Sequence, residues 1–132
     1  MSALETAFRA LPEPTYLLDE TGHVLACSQS GAQVLGHSPE ALTGRRWAEL
    51  APDPEEGYRL EACREEALAS RTARTVELRW PSEQGPRAHG FCFTPLEDEG
   101  ARQVLVSVHP ITQAEGLYSR ALAMEQAARA DV

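Results

Sequence analysis

"TVELRWPSEQGPRAHGFCFTPLEDEGARQVLVSVH" spans residues 75–109, and its reading decides the fold. "TVELRW" (75–80), "AHGFCFTPL" (88–96) and "QVLVSVH" (103–109) have the period-two patterning of half-buried strands. "PSEQGPR" and "EDEG" between them carry the Pro, Gly and acidic residues of hairpin loops. Strands joined this closely pair antiparallel, because a parallel pair needs a long crossover.

Upstream, "PEEGYRLEACREEALASR" (54–71) is a full helix. Pro54 and two Glu stand in its first turn, where negative charge meets the positive end of the helix dipole. Tyr58, Leu60, Cys63, Ala67 and Leu68 form its apolar stripe. "RWAELAP" reads as a short turn. "SPEAL" (38–42) is a one-turn helix with Ser38 as cap and Pro39 in its first position, and "QSGAQVLG" is a helix capped by Ser28. Two further strands, "TYLLD" (15–19) and "HVLACS" (23–28), flank a tight turn at Asp19-Glu20-Thr21-Gly22. The chain opens with a helix over Ala3–Leu11 that Pro12 and Pro14 stop. Its stripe is Leu4, Ala7, Phe8 and Leu11.

Downstream, the last strand passes into a helix across His109-Pro110-Ile111-Thr112 with almost no loop. That helix, from about Gln113 to Arg129, carries Leu117, Ala121, Met124 and Ala128 at heptad steps. Five antiparallel strands with helices grouped on one face give an α+β layer fold. The domain is expected over residues 1–112, with a linker or signalling helix over 113–132.

Composition excludes several function classes. The 132 residues suit one core. Twelve basic residues, all Arg, stand against 20 acidic ones, for a net charge of −8. Such a surface disfavours nucleic acid and anionic membranes as partners. Cys27, Cys63 and Cys92 are odd in number and form no CxxC pair, so neither a disulfide framework nor a zinc site is indicated. The N-terminus lacks the pattern of a signal peptide, and a reducing bacterial-type cytoplasm is the simplest compartment. No G-x-S-x-G, phosphate-binding glycine loop or H-E-x-x-H occurs, and no catalytic residue is assigned.

Four stretches together resemble a PAS domain over roughly Phe8 to Thr112: "LPEPTYLLDETGHVLACS" (11–28), "LGHSPEALTGR" (35–45), "TPLEDEG" (94–100) and the final strand ending "PIT". The resemblance implies a sensory and dimerising module of a signalling protein. Such modules either bind a small molecule between sheet and helices or work without a ligand. It also implies a signal junction at Pro110, Ile111 and Thr112. Pro110 stands where the family often has Asp, which removes a carboxylate and a backbone donor.

Laid on that pattern, strand alternation sorts the side chains. The inner face receives Tyr16, Leu18, Val24, Ala26, Val76, Leu78, Trp80, His89, Phe91, Phe93, Val104, Val106 and Val108. Of these, Tyr16, Leu78, Trp80, His89, Phe91, Phe93 and Val106 are the ligand-pocket candidates. The outer face receives Leu17, Leu25, Cys27, Arg79, Cys92, Leu105, Ser107 and His109. It is too apolar for open solvent. Either the N-terminal helix or a second copy of the chain covers it, and a dimer using both is favoured. The interface candidates are Leu4, Phe8, Leu11, Leu17, Leu25 and Leu105.

Light-sensing flavin relatives use a cysteine where Trp47 stands, so thiol adduct chemistry is excluded. Haem relatives take an iron ligand from the long helix, which has no His here, so haem is not expected. No metal and no cofactor is predicted; a small organic ligand is the alternative. His89 is either an inward ligand contact or a solvated rim residue. Arg64 either reaches an acidic ligand or pairs with Glu61 or Glu65. Cys63 reads as a small buried hydrophobe. The crowded aromatics favour a pocket filled by its own side chains.

Overall fold

The computed structural model describes residues 3–82, 85 and 87–111. A short helix α1 (Ala3–Arg9) leads into strands β1 (Thr15–Asp19) and β2 (Val24–Cys27). Helices α2 (Gln29–Gln33) and α3 (Pro39–Leu42), a 3₁₀ turn (Trp47–Leu50) and the long helix α4 (Pro54–Ser70) follow. Strands β3 (Arg74–Trp80), β4 (Arg87–Asp98) and β5 (Ala101–Pro110) complete the sheet. Its order is β2-β1-β5-β4-β3, with every neighbouring pair antiparallel. Thr112, the helix expected over 113–132 and the side chain of Leu4 lie outside the described residues.

Local chemistry sets the helix starts. The Ser28 hydroxyl accepts the Gly31 N–H at 3.1 Å and the Thr15 N–H at 2.9 Å, so one side chain caps α2 and fixes it to β1. Ser38 caps α3 through the Ala41 N–H, and Asp53 caps α4 through the Glu55 N–H. In the first hairpin the Asp19 carboxylate accepts from the backbone N–H groups of Thr21 and His23. Gly22 turns the chain with a positive φ of 91°.

Two registers differ from the expectation. Strands β4 and β5 are longer than expected because half of "EDEG" is strand: Glu99 and Gly100 alone form the loop, at φ 51° and 84°, and Asp98 pairs with Ala101. Two left-handed residues match the twist of the flanking strands. In β2 the register passes from Leu17↔Ala26 to Leu18↔Val24, leaving Leu25 as an extra residue. That bulge reverses the alternation beyond it. Cys27, expected on the outer face, is buried in the core, and Ala26, expected inside, lies opposite Leu17 on the outer side.

The core lies between the sheet's inner face and α2, α3, α4 and the 3₁₀ turn. It joins Tyr16, Leu18, Trp80, Phe91, Phe93, Val104, Val106 and Val108 from the strands with Leu42, Trp47, Leu60 and Ala67 from the helical layer. Helix α1 stands apart from this layer, held by an Arg9–Glu40 ion pair of 2.8 Å and beside Leu17 and Leu25.

Candidate functional site

The inner site is built from the edge of β2. The Gly44 N–H donates to the Val24 carbonyl at 2.7 Å, and the Val24 N–H donates to the Arg45 carbonyl at 2.9 Å. The Trp47 N–H then donates to the Gly22 carbonyl at 3.0 Å. These bonds zip residues 44–47 along the strand and carry the Trp47 side chain into the space between sheet and helices. Its ring centroid lies 5.3 Å from Tyr16, 5.6 Å from Trp80, 6.1 Å from Phe91 and 5.9 Å from Phe93. Trp80 meets Phe91 edge to face at 5.2 Å. Tilted and edge-on contacts at these separations are the favoured geometries of aromatic packing.

The pocket candidates therefore come together, with Trp47 at their centre. Sequence reading used Trp47 only to exclude a thiol. Its filling role follows from the edge hydrogen bonds, and the available signal was a large aromatic residue directly after the Gly44 turn. Leu78 and Val106 are buried in the same core. Beside Trp47, the gap bounded by Leu18, Gly22, Ala48, Leu60, Glu61 and Arg64 has no room for a water molecule.

The polar atoms of the cluster are few. The Tyr16 hydroxyl donates to the Gly31 carbonyl at 2.8 Å. Burial pushes its phenol far above the ordinary tyrosine range, so it stays neutral. Gly31 permits this approach, since a Cβ there would lie 3.2 Å from the Tyr16 ring. Trp80 lies near enough to Tyr16 to oppose that rise. Yet neither its indole N–H nor that of Trp47 closes a hydrogen bond of normal geometry among the described residues.

His89 is 6% exposed, so it is not a solvated rim residue. Its Nδ1 lies 2.8 Å from the Arg87 carbonyl on its own strand, and it stands opposite Leu78 and Pro110. Arg64 is also buried and is fully engaged: its Nε donates to Glu61 at 3.1 Å, and its terminal nitrogens reach Glu61 and the Glu20 carbonyl. Arg46 adds a second contact to Glu61 at 3.5 Å. These groups staple α4 to the first hairpin and commit the Arg64 guanidinium to Glu61 and Glu20. Burial raises the Cys63 and Cys27 thiols to about 11 each, which disfavours the reactive thiolate.

The outer face is less complete. Leu17 and Leu105 are half-buried, while Leu25 is 42% exposed and Leu11 39%. Phe8 of α1 is half-buried, and a groove of about 350 Å³ runs between it and Leu17, Leu25 and Ala26. A second hollow, about 580 Å³ and open to solvent, lies between the 3₁₀ turn and α4 around Arg46, Glu49 and Tyr58. At the junction, Pro110 closes β5, and the Ile111 N–H still donates to the Ala88 carbonyl at 3.1 Å. The ladder thus continues one residue past the proline. Among the described residues no cluster of His, Cys, Asp or Glu is arranged to hold a metal, and no helix is long and apolar enough to cross a membrane.

This half-open sheet with a helical layer on its inner face is the PAS architecture, and the family model described as PAS fold matches residues 8–116. The chain belongs to the PAS family. Its fold is similar to the PAS domain of BvgS from Bordetella pertussis, at 16% identity and a TM-score of 0.68, covering 94% of this chain and 95% of that one. VqmA of Vibrio cholerae, a LuxR-type receptor, matches at 19% identity and a TM-score of 0.72, over 86% of this chain and 53% of that one. The PAS domain of nitrogen regulation protein NR(II) from Vibrio parahaemolyticus matches at 14% identity and 0.65, over 84% and 100%. No curated relative matches the chain.

Proposed function

We propose that this PAS domain acts without a ligand, as a homodimerising interaction module of a cytoplasmic signalling protein. It relays the state of its sheet through the segment that follows Ile111. The observation that carries this reading is Trp47, whose ring occupies the space between sheet and helices. Leu25, Leu17, Leu105 and Phe8 on the outer side supply the dimer surface. The role is non-catalytic, since the inner face offers neutral rings rather than an acid–base pair.

One observation favours a second reading, a small-molecule sensor. Among the described residues, the buried indole N–H groups of Trp47 and Trp80 close no hydrogen bond of normal geometry, a costly arrangement that an acceptor on a ligand would relieve. One structure of the neighbour VqmA is described as bound to DPO. Native mass spectrometry of the purified chain tests the choice. A dimer with the mass of protein alone is the expected result. Extra mass that denaturation releases overturns the ligand-free reading in favour of the sensor.

A further inference from the structure

The two edges of the sheet are built differently. Strand β2 has four residues, contains the bulge at Leu25, and has its outward backbone occupied by Gly44 and Arg45. Shortness, bulges and cover each blunt an edge against pairing with another strand. Among the described residues, strand β3 has none of these. Its seven residues run in unbroken register along β4, from Arg74↔Phe93 to Trp80↔Arg87, and include no proline. Among the described residues, no backbone group of Arg74–Trp80 makes a hydrogen bond away from β4.

The geometry points to this edge as a pairing site for β3 of a second copy of the chain, antiparallel, with the two-fold axis at Leu78. Residues directly opposite in an antiparallel pair face the same side. Keeping both cores on one side of a continuous sheet therefore sets outward residues against outward residues. Those are Thr75, Glu77 and Arg79, all exposed. An axis at Glu77 sets Glu77 against itself, and an axis at Arg79 sets Arg79 against itself. An axis at Leu78 sets each Glu77 opposite the second copy's Arg79, and symmetry makes this contact twice. On the inner side, Leu78 meets Leu78 of the second copy, and half-buried Val76 gains the second copy's Trp80 as a neighbour. The alternating charges that would discourage a stranger are thus complementary to their own copy in one register.

This edge shares no residue with the outer-face surface, so the two are separable. Sedimentation velocity over a concentration series of the full chain tests it, comparing wild type, E77R, R79E, the double variant E77R/R79E and the outer-face variant L25D. Each single reversal is expected to weaken self-association by on the order of tenfold, and the double reversal to restore it. Exposed positions leave the fold intact, which circular dichroism checks. Single variants that associate like wild type overturn the proposal, as does a double variant as weak as the singles. If L25D abolishes association while the reversals leave it unchanged, the edge proposal falls and the outer-face dimer stands. A wild-type chain that stays monomeric throughout overturns both.

Discussion

The two faces of the sheet are finished to different degrees. On the inner face, Tyr16, Trp80, Phe91 and Phe93 are fully buried against a residue that the neighbouring segment inserts, Trp47. On the outer face, Leu25 keeps about two-fifths of its surface in solvent although α1 lies nearby. Among the described residues, one face is closed and the other is left incomplete. On the function proposed above, inner residues hold the fold and outer residues meet the partner.

Substitutions that strike one face and spare the other test this division. Trp47→Ala is expected to have the largest effect, a loss of about 3–5 kcal/mol in denaturant unfolding, because it removes the central ring of the cluster. If the variant stays folded, added indole is expected to raise its Tm by refilling the space. Next comes Gly57→Ala. A Cβ at Gly57 would lie 2.8 Å from the Ala48 carbonyl oxygen, so α4 must move off the 3₁₀ turn. The expected cost is about 1–3 kcal/mol by the same measurement.

Asp19→Asn probes the hairpin that the inner staple grips. Partial burial raises the Asp19 carboxyl, but hydrogen bonds from His23 and Thr21 outweigh it and hold the group below its ordinary value. A depressed folded pKa contributes stability above the unfolded value of about 3.9, lost as pH falls through the folded value. Acid titration of unfolding is expected to show a shallower slope below about pH 4 in the variant. The neutral-pH cost is about 0.5 kcal/mol or less, because the side chain is partly exposed and screened. Leu25→Asp is expected to change monomer stability least, within about 0.5 kcal/mol. Its effect should appear in self-association instead. A large loss of monomer stability at Leu25 would erase the contrast between the faces.

Much of this was legible in the sequence, for reasons that residues make plain. The last three strands announced themselves by alternation and the first two by the tight turn between them, and Ser28, Ser38 and Pro54 marked helix starts that the structure keeps. The inner candidates Tyr16, Leu78, Trp80, Phe91, Phe93 and Val106 do share one core. Arg64 pairs with Glu61 three residues away, as helical spacing allows. Two things were hidden. Alternation assumes an unbroken period of two, so the extra residue Leu25 sent Cys27 and Ala26 to the wrong faces. Trp47 sits in a segment with no periodicity, and only the backbone bonds of residues 44–47 to Gly22 and Val24 bring it inside.

The cluster around Trp47 also gives the molecule an optical signature. The chain has two tryptophans, and both lie in that cluster with ring centroids 5.6 Å apart. Its tryptophan fluorescence, excited where tyrosine does not absorb, therefore reports from the inner face. Two dry, closely spaced indoles emit at short wavelength and couple as chromophores, giving a paired signal in circular dichroism. A molecule entering between sheet and helices must separate or wet them and shift both signals. A partner docking on Leu25 and Leu17 leaves them in place. Emission and dichroism recorded on one unlabelled sample thus distinguish an event at the inner face from one at the outer.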